Sequence, residues 1–124
     1  MHFKSINKVL WRTVLMKYFC RPDDRKGTCY YEFQKGEFDE TFWKDDSLLI
    51  HDDDWYDSGL EDFFFAEIPD LDEYGTTTVK REQWDEIRER ITEYDETVNE
   101  AFAELDEWVK ETFEEYDEFS ILGL

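Results

Sequence analysis

Carboxylates and large aromatic rings are the side chains with which this chain could do chemistry, and their spacing limits what that chemistry is. Asp70-x-Asp72-x-Tyr74-Gly75 opens like a calcium loop, with its glycine at the sixth position. The twelfth position is Arg81, where such a loop needs a bidentate glutamate, so the match ends there. Asp52, Asp54 and Asp57 lack both the glycine and the spacing. His51 beside Asp52 has the form of a base oriented by a carboxylate, although a histidine between a strand and an acidic stretch is more often simply solvated. The patterns GxSxG, HExxH, GxGxxG and the P-loop are all missing. Two cysteines, Cys20 and Cys29, are too few for a disulfide framework or a zinc site. The expectation is a protein that is not an enzyme, with no resident metal and no cofactor.

Charge is the stronger signal. Asp and Glu total 34 against 14 Lys and Arg in 124 residues, a formal net charge of −20. Residues 1–36 carry +5, from eight cations and three anions, so residues 37–124 carry −25. Self-repulsion of this size opposes compaction and keeps DNA, RNA and anionic membranes away from the acidic surface. A basic protein partner relieves it. Halophilic adaptation also produces acidic chains, but here Lys outnumbers Arg by eight to six and aromatic residues make up 19% of the chain.

Two stretches are candidates for the contact surface. One is Asp52-Asp53-Asp54-Trp55-Tyr56-Asp57 with Glu61 and Asp62, read as an acidic loop whose two rings serve as anchors among charges that steer association. The other is a glutamate stripe, Glu82, Glu86, Glu89, Glu93, Glu96, Glu100, Glu107, Glu111 and Glu114, at helical spacing. Only Arg88, Arg90 and Lys110 offset it within that run. The stripe is read equally well as a solvated face or as a charged interface.

These residues must be positioned by elements that the apolar pattern reveals. Trp84, Ile87, Ile91, Tyr94, Val98, Phe102, Leu105, Val109, Phe113 and Tyr116 recur every three or four residues, which predicts one long amphipathic helix from about Lys80 to Tyr116. Some 35 helical residues span roughly 50 Å, more than a domain of this size is wide. Such a helix bends near Thr92 to Asp95, projects, or pairs with a second copy. Strands are predicted at Thr28–Phe33, Ser47–His51, Phe63–Ile68, Thr76–Val79 and Phe119–Leu122. Phe3 to Phe19 fits a helical period and, over part of its length, an alternating one; helix is favoured because Lys4, Lys8 and Arg12 line one face. The fold class that follows is α+β: a single acidic domain over residues 1–124, with a small antiparallel or mixed sheet packed against a long C-terminal helix and an N-terminal helix. Arg12 and Lys17 interrupt the first apolar stretch before it reaches signal-peptide form, so a cytoplasmic location with no membrane span is expected.

The segment Thr77-Thr78-Val79-Lys80-Arg81-Glu82-Gln83-Trp84-Asp85-Glu86-Ile87, with Leu105 to Trp108 and the closing Phe119-Ser120-Ile121-Leu122-Gly123, resembles immunity proteins of bacterial polymorphic and contact-dependent growth-inhibition toxin systems. The likeness covers about the last 48 residues. It implies a cytoplasmic protein that binds one cognate toxin, often a basic nuclease, and blocks its active site or substrate groove. The family offers no shared catalytic residues to carry over. The expected function is therefore inhibition of a basic protein without catalysis. The alternatives are a nucleic-acid mimic and a helical protein that assembles as a homodimer.

Overall fold

The computed structural model describes residues 16–124. Five strands form one antiparallel sheet: β1 (Phe19–Cys20), β2 (Tyr30–Lys35), β3 (Leu48–His51), β4 (Thr76–Lys80) and β5 (Glu118–Leu122), in the order β1-β3-β2-β5-β4. Among the described residues four α-helices accompany it: α1 (Asp52–Asp57), α2 (Leu60–Glu67), α3 (Arg81–Arg90) and α4 (Glu96–Thr112). The chain is thus α+β, with an antiparallel sheet. The expected N-terminal helix lies mostly outside the described residues. At its C-terminal end the helical reading fails, because Phe19 belongs to β1 and pairs with Ile50.

Alternation along the strands gives the sheet two different faces. Tyr31 and Phe33 of β2, Leu48 and Ile50 of β3, and Phe119 and Ile121 of β5 face the helices and belong to the hydrophobic core. Cross-strand register keeps them together, with Tyr31 opposite Ile50 and Phe33 opposite both Leu48 and Ile121. The residues between them point the other way. Glu32 stands opposite Leu49 and Leu122, Leu122 opposite Thr76, and Gln34 opposite Ser120. This second face is polar in its central strand, and residues 36–47 fold over part of it.

The long helix expected from Lys80 to Tyr116 is two helices. α3 ends in a 3₁₀ turn at Ile91–Glu93, Tyr94 and Asp95 are extended, and α4 starts afresh. The break is held by side chains: the Asp95 carboxylate accepts the Val98 N–H at 3.1 Å, and the Asn99 amide donates to the carbonyls of Ile91, Tyr94 and Asp95. An N-cap, and partners for the carbonyls left open between the two helices, are what a helix restart needs. Breaking lets both apolar stripes lie on one sheet. Trp84 stacks on Phe102 at 4.9 Å and meets Phe119 edge-on at 5.4 Å, while Trp108 meets Phe33 and Phe119. A straight rod would have left half of its apolar stripe in water.

The strand expected at Phe63–Ile68 is helix α2. A short apolar run reads as either element, and here the spacing of Leu60, Phe63 and Phe64 places all three on one buried helical face. Phe64 stacks on Trp55 at 5.3 Å and Phe63 meets Phe102 edge-on at 5.8 Å. Gly59, at φ 88°, makes the left-handed turn between α1 and α2, where a Cβ would sit 2.6 Å from Val98. The other predicted strands correspond to β2, β3, β4 and β5, with β2 displaced toward Lys35.

Candidate functional site: an acidic patch beside an aromatic groove

The expected acidic loop is helix α1. Its three leading aspartates sit in the first turn, where the partial positive charge of the helix N-terminus favours carboxylates. His51 precedes them as the cap, its Nδ1 accepting the Asp53 N–H at 3.0 Å. That bond occupies the ring nitrogen that a catalytic reading would orient with a carboxylate.

The structure divides the eight candidate contact residues. Asp53, Asp54, Asp57 and Asp62 are exposed, Asp52 and Glu61 are half-buried, and Tyr56 is 66% exposed. Trp55 is 0% exposed and cannot be the surface anchor it was expected to be. On a helix only one of two adjacent rings can face inward. Trp55 takes that place, stacking on Tyr31 at 4.8 Å and on Phe64.

Helix formation also gathers carboxylates that a loop would have left apart. Glu61 is pushed above the usual carboxylate range by burial, and further by the negative charges of Asp52, Asp62 and Glu73. Burial raises the Tyr31 phenol to about 12, with Asp52, Glu73 and Glu61 adding to it. The N-terminal turns of α1 and α2 and the 70–75 turn therefore crowd negative charge onto one side. Asp72 is occupied within that turn, its carboxylate accepting the Tyr74 N–H at 3.0 Å. Among the described residues no group of three His, Cys, Asp or Glu side chains is arranged to hold a metal ion.

The glutamate stripe is largely in solvent: Glu82, Glu86, Glu89, Glu93, Glu96, Glu100 and Glu114 are exposed, and Glu107 and Glu111 are half-buried. The cations of the run are engaged elsewhere. Arg88 and Lys110 pair with Asp106, Arg90 with Glu67, and Glu111 pairs with Lys35 from the sheet. Asp106 also accepts the indole N–H of Trp84 at 2.9 Å, so this ion-pair group fastens α3 to α4.

Residues that sequence reasoning passed over form a groove of about 550 Å³ next to the patch. Its floor is the cross-strand row Glu32, Leu122 and Thr76; Cys29, Phe42, Trp43 and Tyr74 are among its walls. The rings are open to solvent: Tyr74 is 74%, Phe42 56% and Trp43 39% exposed. Glu32 is 2% exposed and organises the wall. Its Oε2 accepts the N–H groups of Trp43 at 2.8 Å and Lys44 at 3.3 Å, the Ser47 hydroxyl at 2.6 Å and the Gln34 amide at 2.9 Å. Trp43 is thereby held at φ 58°, a conformation that a bulky side chain seldom adopts. Patch and groove adjoin through Tyr30, which lines the groove and meets the His51 ring at 5.1 Å, and through Tyr74 next to Glu73. The sequence carried no distinctive signal for Glu32, because a charged residue between Tyr31 and Phe33 is the ordinary alternation of a half-buried strand.

Fold and surface together define a small acidic α+β protein that presents a carboxylate patch continuous with an aromatic groove. No protein-family pattern, curated protein or solved structure matches this chain.

Proposed function

We propose that this protein is a non-enzymatic inhibitor that binds and neutralises a basic protein, and specifically an immunity protein for a cognate nuclease-like bacterial toxin. The observation that carries the reading is the exposed acidic surface of α1 and α2, where Asp53, Asp54, Asp57 and Asp62 face solvent beside Glu61, a carboxyl raised first by burial and then by the negative charges of Asp52, Asp62 and Glu73. A cationic surface docked there offsets the like charges and steers association. Asp53, Asp54, Asp57 and Asp62 supply charge at the edge, and the exposed ring of Tyr56 supplies contact area. The toxin assignment rests on the resemblance of the segment that forms β4, the start of α3 and β5. The inhibitor reading is favoured over pairing of two copies through a long helix by the division of that run into α3 and α4, whose apolar faces are turned inward.

The test is a pull-down from the source cell with the tagged protein at low salt, repeated at high salt, with mass spectrometry of what is retained. Recovery of one basic protein, lost as salt rises, is the expected result. Recovery of the bait alone, or of a partner whose retention ignores salt, overturns the reading.

A further inference from the structure

We propose that the groove over Glu32 is a receptor for a single arginine side chain presented by the basic partner. This rests on the reading of the protein as a binder of a basic protein, and it identifies a feature of that partner. Three observations converge. The first is unused acceptor capacity. Oε2 of Glu32 takes four donors, whereas Oε1 is buried with no hydrogen-bond partner among the described residues. A buried carboxylate oxygen left unpaired is costly, and a cationic donor is the group that best satisfies it.

The second observation is the aromatic wall. Phe42, Trp43 and Tyr74 line the same groove and expose their rings, none of the three belongs to the core cluster, and a guanidinium stacks favourably on such faces. The molecule already shows this preference: the guanidinium carbon of Arg25 lies 4.3 Å from the centre of a Trp43 ring. The third is strain. Cys29 and Trp43, both in the groove wall, hold φ values of 72° and 58°. Non-glycine residues in that region persist where the surroundings over-determine them, and they concentrate at ligand sites.

Arginine fits these features better than lysine. Its planar, weakly hydrated guanidinium can lie against a ring while its edge donates to a carboxylate, whereas an ammonium is a compact and strongly hydrated charge. Oε1 is closed off from solvent, so the groove must open as the guanidinium enters, and of its lining the exposed ring of Phe42 is free to move. The adjoining patch of Asp52, Glu61 and Glu73 then attracts the remaining basic surface of the partner.

The experiment is an NMR titration of the ¹⁵N-labelled full chain with N-acetyl-arginine amide and, in parallel, with the neutral isostere N-acetyl-citrulline amide. The expected result is saturable shifts confined to the groove, at Cys29, Trp43 and its indole, Thr76 and Leu122. The dissociation constant should be on the order of millimolar, as a ligand of so few atoms allows. Citrulline should bind at least about ten-fold more weakly, since a neutral donor forms a bond roughly half as strong. Phe42→Ala and Tyr74→Ala, at rim positions that leave the core intact, should each weaken arginine binding about three-fold. Glu32→Gln should remove the preference for charge, and if it disturbs the fold the two rim variants still decide. Equal shifts with both compounds overturn the proposal, as do shifts scattered over α1 and α3 that vanish at high salt. Failure here is separable from failure of the inhibitor reading. A partner recovered equally well by wild type and by the Phe42→Ala, Tyr74→Ala double variant removes the arginine receptor and leaves the inhibitor. A groove-specific titration with no partner recovered does the reverse.

Discussion

Replacing Glu32 tests whether one buried carboxylate builds the groove wall. Its Oε2 holds two backbone N–H groups, at Trp43 and Lys44, and two side-chain donors, at Ser47 and Gln34. In Glu32→Ala the two side chains can turn toward water or other partners, but the two backbone groups cannot follow. Each stranded N–H costs about 1–3 kcal/mol, and the two share one acceptor, so their costs do not simply add. The expected loss is about 3 kcal/mol. Glu32→Gln keeps an acceptor in place and loses the charge, and should cost about 1.5 kcal/mol, since charge-assisted bonds are roughly twice as strong as neutral ones. Urea denaturation followed by circular dichroism reads both changes. With a slope of about 1.5 kcal/mol/M, the Ala variant should shift the midpoint down by about 2 M. Hydrogen exchange should show the Trp43 and Lys44 amides losing protection before the amides of β2 and β5. A midpoint moved by less than about 0.3 M, with Trp43 and Lys44 still protected, would refute the claim that this carboxylate organises the wall.

Adjacent rings on α1 should separate cleanly: Trp55→Ala should cost about 4 kcal/mol in denaturation and Tyr56→Ala under about 0.5 kcal/mol, with only the latter weakening partner capture in an intact fold. Trp55→Phe should cost less than the alanine change, because most of the ring is kept and the buried indole N–H has no partner among the described residues. Gly59→Ala combines a left-handed φ with a Cβ placed 2.6 Å from Val98, and should lower stability by about 2 kcal/mol. Gly27→Ala, at φ 79° with open space around it, should cost about 1 kcal/mol, so similar losses at the two sites would discount the Val98 clash. The Tyr31 phenol, ordinarily near 10, stands at about 12 when folded. Between those values the unfolded chain has released its proton and the folded chain has not, so stability falls as pH rises through that window. Denaturation across that range should show the fall in wild type and a shallower one in Tyr31→Phe.

Much of this architecture is legible locally. Alternating or β-rich runs bounded by glycine, proline and acidic turns locate β2, β3, β4 and β5, because strand pairing only needs side chains that suit a half-buried pleated surface. The stripe of Trp84, Ile87, Ile91 and Val98, Phe102, Leu105 locates the helical run for a similar reason. Local pattern also names Thr92 to Asp95 as one place where that run could bend, but it does not choose among bending, projecting and pairing. The choice depends on a sheet wide enough to receive both stripes and on Asn99 reaching back to the carbonyls of Ile91, Tyr94 and Asp95 between the two helices. Phe63–Ile68 is ambiguous in the sequence because three consecutive phenylalanines have no period of their own; as a helix the run packs Phe64 on Trp55 of the preceding helix and Phe63 on Phe102, which is distant in sequence.

The acidic surface follows from composition alone, since 34 carboxylates cannot be buried in 124 residues and most must face water. Which carboxylates crowd together is a property of the folded chain. Asp52, Glu61 and Glu73 come from three separate segments, and the charges of Asp52 and Glu73 act on Glu61 only in the folded chain. The same holds for Glu32. Its position between two core aromatics is visible in the chain, but the four donors that surround one oxygen and spare the other arrive from residues 34–47 only when that segment folds over the sheet. Charge and periodicity are additive properties that a linear chain carries with it, whereas a site requires distances between residues remote in sequence, and those exist only after packing.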